Sequence, residues 1–279
     1  MQPPLVASDR KGFSTTDRAA GMVAPALVVV TVAAAAAVAF ALTEGFSHWT
    51  VPAVGPWAAA GGTIVVAGRA GVYDGLETQV SPELLVAAPA ALAATTWIVG
   101  GRIAARRAVP YRERYLAAAG GGVAVALLGP LLVSLDVSAI GVVVLLGVPL
   151  VAAVVATVGF LAVGFVVSDL LTDLRIAGLY TVAAVLLEGV AAVAARHWLD
   201  APREGVVVAA VRVGYATAGL EATWWAVVVG QLVVGLGVVF ACGRIASVYR
   251  DAGRGIVLVV SVLALWAGTA VLVSAAALG

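Results

Sequence analysis

Glu188 is the residue of this 279-residue chain whose chemistry stands out first. It lies about two thirds of the way along an otherwise uncharged run, residues 176–195, among Leu186, Leu187, Val190 and Ala191. A charged carboxylate in hydrocarbon costs at least about 2–3 kcal/mol, so this one is expected to be protonated, paired or turned toward a polar cavity. Three readings fit. It is a proton- or cation-binding carboxylate of the kind that couples transport, part of a catalytic site, or a protonated glutamate that bridges two helices by hydrogen bonds. Arg69, Arg212 and Gln231 are its possible partners, and the sequence does not choose among them.

The other reactive residue types form no complete set. Asp169 and Asp173, four apart, would share one helix face, and divalent-metal enzymes use such pairs. Further ligands are not evident, and a solvated helix end accounts for the spacing, so no metal or other cofactor is expected. His48 and His197 fall in predicted loops without a helical histidine partner, which argues against a bis-histidine haem. The only lysine is Lys11, outside every apolar run, which excludes a retinal Schiff base. Cys242 is the single cysteine and leaves neither an intramolecular disulfide nor a cysteine-cluster metal site. Gly61, Gly62 and the triplet Gly120, Gly121 and Gly122 lack the Lys-Ser/Thr of a phosphate loop. They lie inside apolar runs, where small residues allow close helix packing.

The elements that must position these residues follow from composition. Hydrophobic residues make up 63% of the chain and charged residues 11%, against roughly 45–50% and about 25% in soluble domains. Lipid can solvate that much apolar surface; a soluble fold of this length cannot hide it. The formal charge of +1 offers no field for nucleic acid. A spanning helix needs about 20 apolar residues. Eight segments qualify or come close: residues 19–42, 54–68, 84–101, 115–135, 137–168, 176–195, 222–242 and 256–276. The fifth is too long to cross upright, and Gly147 and Pro149 near its middle predict one kinked or tilted helix. Residues 205–220, interrupted by Arg212, read as a short helix at the membrane surface, with Asp200 as its cap and Pro202 in its first turn. The chain is thus expected to be an all-α polytopic bundle in one domain, residues 19–279, behind a polar tail, residues 1–18.

Basic residues set the orientation. The stretch from Arg102 to Arg114 and the group Arg244, Arg250 and Arg254 should both face the cytoplasm, which places Asp136, the stretch 196–221 and the C-terminus outside. Arg69, Asp74 and Glu77 flank the second segment and are read as a solvated loop or the mouth of a re-entrant hairpin. Trp49, Trp57, Trp198, Trp224 and Trp225 sit at or near segment ends, where indoles favour the interface, whereas Trp97 and Trp266 lie deeper and should pack. Gly101-Arg-Ile-Ala recurs at Gly243, 243 − 101 = 142 residues later, a spacing that two parallel halves would produce but that four such common residues do not establish.

Two places in the chain resemble an archaeal family of multi-span membrane proteins known as a domain of unknown function, number sixty-three. Pro56-Trp57 followed by small residues opens the second segment, and Leu187-Glu188-Gly189-Val190 is similar to that family's intramembrane His-x-x-Asp region. In that alignment Val185 takes the place of the histidine and Glu188 that of the aspartate. The resemblance implies a multi-span fold in an archaeal plasma membrane and brings no activity with it. It also implies that residues 54–68 cross fully, whereas the arginine and lysine distribution favours a segment that only dips in; seven and eight spans both stay open. Three functions remain. The first is a small-solute or ion carrier that uses Glu188. The second is a non-enzymatic scaffold or assembly subunit that packs against a partner protein. Last comes an intramembrane lipid enzyme, for which no nucleophile, base and metal set can be assembled.

Overall fold

Within a bilayer the backbone must satisfy its own amides and carbonyls, and an apolar chain does so by forming helices. The computed structural model describes residues 47–72, 82–107, 112–135, 137–166, 174–201 and 205–278. Among these, every regular element is a helix: α1 (Thr50–Arg69), α2 (Pro82–Arg107), α3 (Arg112–Ser134), α4 (Ala139–Val166), α5 (Arg175–Trp198), α6 (Val206–Thr217), α7 (Trp224–Val248) and α8 (Arg250–Leu278). Six of them, all but α2 and the 12-residue α6, are long and apolar enough to cross a membrane. The tail 1–18, the segment 19–42, Asp74, Glu77, Asp136, Asp169, Asp173 and Pro202 lie outside the described residues.

The second apolar segment is longer than the run 54–68. α1 starts at Thr50, because Pro52 falls in the first turn, where its missing N–H would have found no partner, and Pro56 is accommodated within the helix. Its 20 residues reach about 30 Å, the depth of the hydrocarbon core. The fifth segment is one continuous helix, α4, carried through Pro149. Val144, Val148, Ala152, Ala156, Phe160 and Gly164 recur every fourth residue on its buried side. Leu146, Leu150, Val154, Val158 and Phe165 are exposed on the other, an apolar surface suited to lipid.

α1 and α5 are the central helices, each buried over most of its length by the others. The Trp57 indole is buried in the bundle, not at an interface as its place near a segment end implies. It donates to the Leu116 carbonyl at 2.9 Å and packs over Gly120 of α3. Further along, Val66 meets Leu131 of α3 and Val273 of α8. Contacts that advance together in this way mean that α1, α3 and α8 run in the same direction. α5 runs with them, since Thr181 lies level with Ser261 and Glu188 with Gly268 on α8. α4 and α7 run the other way: Phe160 and Val239 both meet Gly178, while Gly141 meets Ala276 and Gly235 meets Val182.

The arginines read as a loop from Arg102 to Arg114 sit mainly on helix ends, because α2 continues through Arg107 and α3 begins at Arg112. Long aliphatic stems let such residues extend a helix beyond hydrocarbon while the charge stays in water. Arg244 on α7 and Arg250 and Arg254 on α8 occupy the same end of the bundle. Ser47, just before α1, donates to Glu113 at 2.8 Å, Gly55 faces Tyr180, and Gly243 packs near Leu174 at the start of α5.

Candidate functional site

Glu188 sits on the face of α5 that meets α6, α7 and α8, and it is 1% exposed. Its Oε1 accepts the backbone N–H of Val208, the third residue of α6, at 2.9 Å. The first N–H groups of any helix lack intrahelical partners, and the residue preceding α6, Gly205, provides no side-chain cap. Glu188 therefore does from another helix what a local aspartate or serine does elsewhere, with the further advantage that a carboxylate suits the positive end of a helix dipole. Gly205 is required by this arrangement. A Cβ there would overlap the Glu188 carboxyl group.

Asp200 is not the cap of α6. It adopts a positive φ of 49° and ends α5, with the Ala201 N–H returning to the Ala195 carbonyl at 3.0 Å; aspartate tolerates that backbone region better than most residues. α6 is the short helix expected from residues 205–220, but its first turn enters the bundle, where Val208 is fully buried. At its other end the Tyr215 hydroxyl donates to the Ala226 carbonyl at 3.0 Å, tying α6 to α7.

Gln231 on α7 lies at the same level of the bundle, against Gly189. It is fully buried, and its amide lies so close against Gly189 that a Cβ there would collide with it. Neither end of that amide hydrogen-bonds to any described group, and neither does Glu188 Oε2. Leaving a buried polar group unpaired costs about 1–3 kcal/mol, and such groups in native proteins mark a bound water, an ion or a functional site. Two side chains on neighbouring helices thus hold, at one level of the bundle, three hydrogen-bonding atoms that meet no partner among the described residues.

The levels above and below follow from helix periodicity. One turn beyond Glu188 on α5 is Ala192; one turn before Gln231 on α7 is Val227; these two enclose Val208 in a small apolar cluster. Beyond it opens a cavity of about 280 Å³ whose polar lining is Arg196, His197, Arg212 and Thr223, with Trp224 at its edge. On the opposite side of Glu188 the bundle is closed. Gly235 lets α7 approach Val182 and Val185, and Gly268 brings α8 against Leu187 and the Glu188 backbone. The next polar pair, Thr181 and Ser261, is hydrogen-bonded to itself at 2.8 Å. The sequence of layers is a basic cavity, one apolar layer, a buried carboxylate and amide, and then tight packing. No family model matches this chain, and no curated protein and no solved structure matches it either.

Of the residues picked from sequence, Glu188 and Gln231 share one level, and Arg212 lies one turn along α6 from Val208, facing the cavity. Arg69 ends α1 and is exposed, and it does not hydrogen-bond the Glu188 carboxyl. His197 belongs to the last turn of α5, not to a loop, and its ring meets Trp224 edge-on at 6.5 Å. His48, in the turn before α1, lies beside Trp49. Among the described residues no group of three or more His, Cys, Asp or Glu side chains could hold a metal ion. Arg196, Thr223 and the α6 amide were missed. Gly189 and Gly205 carried the available signal, since both are glycines placed where a neighbour must come close.

Proposed function

We propose that this protein is a membrane carrier for a small solute or ion, with Glu188 as its coupling carboxylate. The observation that supports this best is the unfilled trio of Glu188 Oε2 and the two ends of the Gln231 amide, buried one turn below a single apolar layer. A proton or small cation bound there would satisfy groups that find no partner among the described residues. Since Glu188 also holds the first turn of α6, loading or unloading that position changes the grip on α6 and on Val208 in the apolar layer. Ion occupancy and access are thereby linked through one carboxyl group. Short helices whose ends meet the substrate or ion site are a recurrent device of carriers.

The setting belongs to the same proposal. We take α2 and residues 19–42 to cross as well, giving eight spans in an archaeal plasma membrane, the archaeal source resting on the family resemblance alone. The Arg-rich helix ends face the cytoplasm, and the basic cavity and the C-terminus face outside. The alternative is a scaffold, and the Glu188–Val208 bond speaks for it, because a structural tie needs only that bond.

Labelling with a hydrophobic carbodiimide in native membranes, mapped by mass spectrometry, separates the two. The reagent adds to a carboxyl in lipid and rearranges to a stable N-acylurea. Selective modification of Glu188 that added sodium ions suppress supports a carrier; Glu188 unmodified at every sodium concentration overturns it. Glu188→Gln keeps an acceptor for Val208 while removing the charge. It should leave a scaffold intact but abolish ion-driven flux across proteoliposomes.

A further inference from the structure

We propose that the cavity between the C-terminal end of α5, α6 and the start of α7 is a binding site for a tetrahedral oxyanion, a phosphate group. Arg196, Arg212 and His197 all line one space of about 280 Å³, and no carboxylate is among the described residues that line it. Thr223, the residue before α7, lines the same space, and its Oγ1 is buried without a hydrogen-bond partner among the described groups. It caps nothing on its own helix. The first amides of α7 thus take no cap from this side chain, and amides at a helix start suit an anion.

The chemistry of the donors selects the ligand. Guanidinium groups bind carboxylate and phosphate through paired N–H donors. Donors arriving from three separate helices surround a ligand in three dimensions, which suits a tetrahedral group better than a planar one. The apolar floor of Ala192, Val208 and Val227 excludes water from one side and strengthens each of these contacts. Exposed Trp198, Trp224 and Trp225 at this end are placed as interfacial residues, so a phosphate could arrive from water or on a lipid headgroup. The site holds whether or not Glu188 couples transport, because none of its donors is Glu188.

Purified, delipidated full-length protein in detergent provides the test. One arm titrates inorganic phosphate by calorimetry; the other adds phosphatidylglycerol and counts retained lipid by native mass spectrometry. Saturable phosphate binding identifies a free anion as the ligand. Retention of phosphatidylglycerol without phosphate binding identifies a headgroup. In either case Arg196→Gln and Arg212→Gln should each weaken binding by about tenfold or more, as expected for loss of a charge-assisted bond. Arg196 is exposed at the end of α5, so its substitution leaves the fold intact and keeps the test decisive even if Arg212→Gln misfolds. Binding of neither ligand, or binding undiminished in Arg196→Gln, overturns the proposal.

Discussion

Removing the Glu188 side chain should free the first turn of α6, and the size of the effect can be worked from the contacts. Glu188→Ala deletes the acceptor that the Val208 N–H finds among the described residues, a bond of 2.9 Å at a fully buried residue. A hydrogen bond to a charged group is worth about 1.5–3 kcal/mol, and the substitution removes it. Loss of the favourable dipole contact adds up to about 1 kcal/mol. Together these predict a local loss of roughly 2–4 kcal/mol, or about a 30- to 900-fold drop in amide protection over the first turn of α6. Glu188→Gln retains an acceptor oxygen in the same position and gives up mainly the charge, so its loss should stay within about tenfold. Hydrogen–deuterium exchange of peptides covering residues 205–217, in lipid nanodiscs, measures both. Equal protection in Glu188→Ala and the parent protein, or equal losses in the two variants, would refute the claim that this carboxyl holds α6.

Other perturbations follow from the same contacts. Gly205→Ala places a methyl on the Glu188 carboxyl and should reproduce the exchange behaviour of Glu188→Ala. Gln231→Leu replaces an amide with both ends unsatisfied and should raise the thermal unfolding midpoint in detergent, by an amount equivalent to about 1 kcal/mol, while eliminating the sodium effect on carbodiimide labelling. Trp57→Phe removes the indole N–H that bonds the Leu116 carbonyl and should lower that midpoint by the equivalent of about 1–2 kcal/mol. Cys242, 3% exposed, should resist maleimide in intact membranes and react once the protein is unfolded.

The helices were legible because the chain is apolar over lengths that only a membrane helix explains, and the long α4 follows from an unbroken run through Pro149. Glu188 was legible for the converse reason, since one carboxylate in hydrocarbon is costly wherever it lies. The start of α1 was not, because Pro52 lies outside the run 54–68 and reads as its boundary until it is seen in a first turn, where its missing N–H costs nothing. Trp57 near a segment end implied an interface, but Gly120 opposite it makes room for the ring inside. The docking of α6 depends on two chain positions 20 residues apart, a tertiary fact that local patterns do not encode. Asp200, a good cap by residue type, was diverted to the turn that ends α5.

The parallel packing of α1 against α8 also bears on how the chain is made. α1 is the least apolar of the six long helices and among the most buried. Gly61 and Gly62 are fitted to Trp266 and Thr269, which the ribosome produces some two hundred residues later. Until then α1 waits in the translocon or in lipid with a glycine-rich flank uncovered. Burial of this flank of α1 is consequently a late event that waits for α8, and a nascent chain that stops short of α8 offers quality-control proteases its central helix.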